Sequence, residues 1–358
     1  MSHVQGQIQG PALFLAQFAG DEPPYDDIDS LAAWASGLGY EGLQIPAGEE
    51  RCIDLSEAAA SKAYCDDYRG RLAEQGVVPT ELGAFMAGQV LAFHPAYEPM
   101  FEPFYPERLS GEEERVAWAT EELKKVVRAS AHLGTSVVPA LSGGLAWPMV
   151  YPWPQRPDGL IDEAFQELAA RWRPVLDLAA EHDISVAYEL HPGSDVFDGA
   201  TFERFLEATD HHPAVGLNYD ASHFVLQQLD YQDFIRRYGD RIRGFHVKDA
   251  EFRPSGRQGV YGGYESWAGR AGRFRTPGDG QVDFGRVFTL LTEAGFDGWA
   301  VLEWEDAVKA SEQGAREGAA FIEGHLIEAA TSAFDDFAGG EANAEAQRAR
   351  NRRALGLE

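Results

Sequence analysis

The feature that most constrains the fold is an alternation repeated eight times. Short apolar, β-rich runs occur at ALFLAQF (12–18), EGLQIP (41–46), VVPTELGAF (77–85) and TSVVPALS (135–142). Four more follow at SVAYELHP (185–192), AVGLNYDASH (214–223), IRGFHVKDA (242–250) and GWAVLEWED (298–306). Each is followed by a stretch of helical periodicity. Strands joined through helices pair in parallel, and eight such units in one domain predict a closed α/β (β/α)8 TIM barrel. An open doubly wound sheet is the competitor, but its glycine-rich turn is missing from LFLAQFAGDEPP after the first strand.

The helical segments are explicit in places. Phe165, Leu168, Ala169, Trp172, Leu176 and Ala179 form one stripe, with Pro174 a candidate kink. Phe284, Val287, Phe288 and Leu291 form another behind Asp283, a natural N-cap, while Gly134, Gly239 and Gly295 stand where helices should stop. Segments 86–111, 143–161 and 251–282 are too long for simple connectors. They follow the third, fourth and seventh strands, so they belong to the C-terminal face, where barrel sites are built. The reading is a catalytic barrel over 1–306 and a helical C-terminal extension over 307–358, packed on the barrel or a neighbouring subunit.

Charge narrows the partners. With 58 Asp+Glu against 30 Lys+Arg, the net charge is −28. Such a surface repels phosphate backbones and anionic lipid, so neither nucleic acid nor membrane is expected as a partner. The two cysteines, Cys52 and Cys65, have no metal-type spacing and fit a reducing compartment. The first residues lack a basic segment ahead of a long apolar run, and no stretch approaches a membrane span. A soluble, cytoplasmic protein is expected.

Four residues carry the chemistry. Glu189, Asp220, His246 and Glu303 end the last four strand runs, 31, 26 and 57 residues apart, the longest gap holding the insertion after the seventh strand. In a closed barrel they converge on the axis. Any one alone reads as a strand-end salt bridge. Three carboxylates and an imidazole together would repel one another or be costly to bury without a cation. The oxygen-rich, thiolate-free set predicts a divalent ion, Mn2+, Co2+ or Mg2+, rather than structural zinc.

The motifs YELH, NYDASH, GFHVKD, PGDGQVDF and VLEWE resemble the xylose-isomerase-like TIM-barrel superfamily, in particular its sugar phosphate isomerase/epimerase group. The resemblance is strong over about 185–305, weaker before, and absent from the tail. It implies that Glu189, Asp220, His246 and Glu303 bind a divalent metal, usually manganese. It also implies that Glu189 and Glu303 flank the substrate carbon as acid/base groups, and that His223 matches the histidine three residues after the aspartate ligand. The group spans ketose epimerases, hydroxypyruvate isomerase, inosose dehydratase, 3-keto-glycoside epimerases and lyases, and endonuclease IV, so it fixes metal and fold better than substrate.

Chemistry leads to the same place. A cation chelating a carbonyl and its neighbouring hydroxyl acidifies the adjacent C–H and stabilises the enediolate, and a carboxylate beside it takes the proton. Return on the opposite face epimerises, return to the next carbon isomerises, and loss of a β leaving group eliminates. The expected function is a metal-dependent sugar epimerase or isomerase acting on a keto-sugar or keto-glycoside through that enediolate. The alternative is a metal-dependent lyase or dehydratase. A basic groove and further His/Asp ligands, which abasic-site nucleases need, are missing, and a non-catalytic barrel would have lost part of the quartet.

Around this core, His191 and Lys248 point to the mouth by period-2 alternation from Glu189 and His246. Glu81 faces the barrel from the third strand and either bonds substrate or pairs with Lys248. His94, Trp147 and Trp153, together with Arg273 of the Arg270/Arg273/Arg275 cluster, are candidate substrate contacts on the long loops; the competing readings are a solvated loop histidine, the more common case, loop packing for the tryptophans, and local offset of the acidic surface for the arginine. A small-molecule sugar is the expected partner, and a homo-oligomer the expected assembly.

Overall fold

A computed structural model of the chain describes residues 7–109, 111–328 and 344–357. Ten strands are present among them: β1 (Gln9–Phe14), β2 (Gly42–Pro46), β3 (Val78–Gly83), β4 (Val137–Ala140), β5 (Ser185–Glu189), β6 (Val215–Asp220), β7 (Ile242–Val247), β8 (Asp249–Phe252), β9 (Gly272–Arg275) and β10 (Trp299–Leu302). Eight make one parallel sheet in the order β3-β2-β1-β10-β7-β6-β5-β4, with helices alternating between them. These are the eight predicted runs, and the sheet is a nearly closed (β/α)8 barrel. Between β3 and β4 there is no ladder; the ring is bridged where Ala84 N–H donates to the Pro139 carbonyl at 2.7 Å. The pair β8/β9 is a separate antiparallel hairpin inside the segment after β7.

Local sequence accounts for the element ends. Asp283 caps helix Phe284–Glu293 by accepting the Arg286 N–H at 3.0 Å. Gly134 closes helix Glu112–Leu133 with φ of +77°, a conformation a side chain would strain. Helix Leu160–Glu181 runs on across Pro174.

The main core lies between barrel wall and helices, where Trp172, Tyr188, Phe205, Phe245 and Phe288 are fully buried. A small cluster of Ala12, Phe14 and Val301 with Phe85 and Trp299 is distinct from it. Helix Ser311–Glu323 lies against β1 and β10, and the compact unit that contains the barrel reaches Ile327, beyond the expected boundary at 306. The unit after it holds helix Ala344–Ala354; part of the expected extension, 329–343, lies outside the described residues. Among the described residues no helix is long and apolar enough to cross a membrane.

Candidate active site

Strand register places the quartet. Asp220 and His246 are directly paired across β6 and β7, Glu189 is paired with Asn218 across β5 and β6, and Glu303 follows Leu302, the partner of Val247. All four stand at the C-terminal rim of the barrel, all are buried, and one ligand atom from each lies within 4.8 Å of the others. His246 Nδ1 is 2.9 Å from Glu303 Oε2 and 3.0 Å from Glu189 Oε2. Two carboxylates from strands three steps apart in the ring therefore converge on one point.

The surroundings fix each group. Gln44, from β2, meets His246 Nε2 with Oε1 at 3.0 Å, while its own amide nitrogen faces Glu81 Oε2 at 3.5 Å. By accepting the Nε2–H, Gln44 leaves Nδ1 as the ring nitrogen that faces the carboxylates and would ligate an ion. Asn218 donates to Glu189 Oε2 at 2.9 Å, and it fits there because Gly244 is bare: a Cβ at 244 would sit 2.3 Å from Asn218 Oδ1. Asp220 caps the short helix Ala221–Gln227 with Oδ1, which accepts the Ser222 N–H at 2.8 Å. That turn sets His223 Nε2 3.1 Å from Glu189 Oε1 and 3.4 Å from Asp220 Oδ2. Lys248 Nζ lies 2.7 Å from Glu303 Oε2 and 3.0 Å from Asp220 Oδ2.

Charge dominates the site. Burial alone would lower the His246 imidazole pKa, but the Glu303 and Glu189 carboxylates outweigh it and raise it to about 10. Burial alone would raise Glu189, yet Lys248, His223 and His246 hold it well below the usual carboxylate range. His191 is pushed down to about 3 by burial and by the neighbouring His223, whose ring it meets edge-on at 4.5 Å, and it is therefore neutral near pH 7. The donor set fits a divalent cation: three carboxylates, one imidazole and no thiolate, with Asp220 Oδ2 met only by Lys248 and His223. This buried group could hold a metal through one atom of each residue.

A cavity of about 1150 Å³ opens over the site and reaches Glu189, His191, Lys248, Glu303 and Glu305. A second, of about 480 Å³, lies among the strand starts at the opposite end, between Gln9, Thr80, Val137, Ile242 and Trp299, away from the quartet. His223, His191 and Lys248 are thus brought to the quartet as expected. The other candidates lie elsewhere. His94 caps a 3-10 turn, accepting the Ala96 N–H with Nδ1 at 3.1 Å. Trp147 packs edge-on against Phe197, Trp153 is 77% exposed, and Arg273 is paired with Glu251 at 2.5 Å. None of these four lines the cavity. Glu81 meets neither Lys248 nor the cavity over the quartet and lines the smaller one instead; burial raises its pKa, and its amide partner is Gln44. Sequence reasoning missed Gln44, Asn218, Glu305 and Gln17, whose amide reaches Glu303 Oε1 at 3.3 Å.

The model of the xylose isomerase-like TIM barrel family matches residues 32–325. Inosose dehydratase from Geobacillus thermodenitrificans is 35% identical over 129 residues, 36% of this chain and 43% of that protein. The chain spans about half the length of the curated relatives it matches. Among solved structures, the probable 3-DHS dehydratase of petrobactin synthesis from Bacillus anthracis superposes with a TM-score of 0.60 at 16% identity, covering 88% of this chain and 99% of that one. The 3-keto-D-glucoside 4-epimerase from E. coli superposes with a TM-score of 0.58 at 16% identity, covering 89% and 100%. At such identity these two likenesses speak for the fold alone.

Proposed function

Because the chain belongs to the xylose isomerase-like TIM barrel family, we propose that it is a divalent-metal-dependent enzyme that removes the proton beside the carbonyl of a keto-sugar or keto-glycoside, with epimerisation or isomerisation as the net reaction. The observation that carries this reading is the convergence of Glu189 and Glu303 on one point from well-separated strands. Glu189, Asp220, His246 and Glu303 would hold the ion, Mn2+ in first place on the oxygen-rich donor set, with Co2+ or Mg2+ as alternatives. When bound, the cation supplies Lewis acidity at the ketone.

The chain's own groups then divide the work. One glutamate takes the α-proton at a carboxylate oxygen and the other returns a proton to the opposite face or the neighbouring carbon. Asn218 and His223 hold Glu189 in place from opposite oxygens, and Gln17 and Lys248 do the same for Glu303. His191, neutral, is a hydrogen-bonding group for a substrate hydroxyl. A second reading, dehydration, is favoured by Glu305, a further carboxyl on the cavity wall beside Lys248 and placed to meet a leaving hydroxyl. The names of the curated relatives point the same way.

The test is chelator-stripped protein, reloaded with Mn2+ and incubated in D2O with a panel of keto-sugars, keto-glycosides and keto-cyclitols. Epimerisation or isomerisation gives a deuterated product of otherwise unchanged composition, and dehydration gives one lighter by a water. Absence of α-proton exchange across the panel, or full activity in metal-free protein, overturns the proposal.

A further inference from the structure

The cavity is larger than the chemistry needs. Small-molecule sites enclose roughly 300–1,000 Å³ for drug-sized ligands, and this one, at about 1150 Å³, exceeds that range. Its wall changes character along the chain. Charged groups come from the ends of β5, β7 and β10 and, as Glu49, Glu50 and Asp54, from the segment after β2, whereas the end of β1 contributes Phe14 and the segment after β3 contributes Phe85, Met86 and Phe104, joined by Trp118 of helix Glu112–Leu133. This apolar wall adjoins the quartet: the Phe14 and Phe85 rings lie 5.9 and 5.7 Å from the His246 ring. Met86 and Phe104 are each 41% exposed, although large apolar side chains are ordinarily covered.

Charge along the same wall is unsuited to an anion. The two lysines there are engaged, Lys248 with Glu303 and Asp220, and Lys125 with Glu122 at 2.7 Å. No arginine is among the described residues lining the cavity, while Glu49, Glu50 and Asp54 are. Arg273 and Arg275, the natural candidates for a phosphate clamp, are instead paired with Glu251 in the β8/β9 hairpin.

We infer that the substrate is an uncharged keto-sugar carrying an apolar, aromatic substituent, seated against Phe85, Met86, Phe104 and Trp118 while the sugar meets the quartet. This rests on the proton-abstraction reading above and adds the class of molecule that reading acts on. Aromatic side chains offer flat faces to such a group, and burying it gives affinity without any charge partner.

The experiment compares three probes with the Mn2+-loaded protein in D2O: phenyl keto-glucoside, the parent keto-glucose and its 6-phosphate. The expected result is a kcat/KM for the phenyl compound at least tenfold above the parent, carried mainly in KM, with the phosphate ester below both. Phe104→Ala, on an exposed loop, should bring the phenyl-to-parent ratio down several-fold, and Trp118→Ala should do the same. Exchange on the parent with no phenyl preference, or preference for the phosphate, overturns the inference and leaves the proton-abstraction reading intact. No exchange on any probe overturns both.

Discussion

Gln44 offers the most direct test of how the quartet is built. It is 1% exposed and is the contact made by His246 on the side away from the carboxylates. Gln44→Met keeps the length of the side chain and removes both polar atoms. The buried Nε2–H then has no acceptor, a loss of about 1–3 kcal/mol for an unsatisfied buried donor. When the ring gives up a proton to ligate an ion, it then sheds the one on Nε2 and keeps the one on Nδ1, which Glu303 and Glu189 hold at 2.9 and 3.0 Å. That tautomer has no lone pair for a cation. The expected outcome is Mn2+ affinity weakened about 10–100-fold, the usual consequence of losing the partner behind a ligating histidine, or about 1.4–2.8 kcal/mol. Isothermal titration of chelator-stripped protein reads it directly, without any assay of turnover. Gln44→Glu, which retains an acceptor, should bind more tightly than Gln44→Met. Affinity of Gln44→Met within a factor of two of the parent, in a protein that still melts cooperatively, would refute the reasoning.

Four further outcomes follow from the geometry. Glu189→Gln and Glu303→Gln should each lose about 10²–10⁴-fold in turnover; each should still bind metal through the amide oxygen, and normal turnover by both would reduce these carboxylates to ligands. Gly244→Ala should force Asn218 away from Glu189, costing about 1–3 kcal/mol of stability, with a several-fold fall in kcat that a remote core substitution of equal cost does not produce. Asp249→Ala should destabilise by roughly 2–4 kcal/mol in thermal unfolding, because its carboxylate accepts the N–H groups of Gly278, Gly280, Gln281 and Val282. Burial alone would raise the pKa of Glu251, but Arg273 and Arg275 outweigh it and hold it below the usual range. Its contribution is therefore present above the unfolded-state pKa and lost as pH falls through the folded one, so the gap in melting temperature between parent and Glu251→Gln should close on acidification.

The legible part of the site was its spacing. One polar strand end per β/α unit brought Glu189, Asp220, His246 and Glu303 to one rim; the parallel register pairs Asp220 with His246, sets Glu189 level with Asn218, and leaves Glu303 two residues past Val301, the partner of His246. The alternation that selected His191 and Lys248 applies equally to Asn218, two before Asp220, and to Glu305, two after Glu303; the signal existed for both. Gln44 was harder, because a lone amide inside GLQIP carries no mark of its partner 202 residues away. Trp147, Trp153 and Arg273 show the limit of composition: a loop rich in aromatic and basic residues says nothing of where each side chain turns. Trp147 turned to Phe197 and Arg273 to Glu251, while the aromatic wall came from Phe85 and Phe104, in segments whose interest had been placed on His94.

The break in the ladder between β3 and β4 has an evolutionary consequence. The cavity's apolar wall is drawn from chain that emerges before or beside that break, whereas every quartet member belongs to the unbroken run β5-β6-β7-β10. Insertion, deletion or recombination within 84–111 therefore meets few backbone bonds, Ala84 to Pro139 and the pair between Ala92, His94 and Gly144, and leaves the register of the quartet strands untouched. A barrel partitioned in this way can drift in what it admits while conserving what it does. Substituting that one segment between homologues is the smallest genetic step by which lineages sharing this chemistry would part company over their substrates.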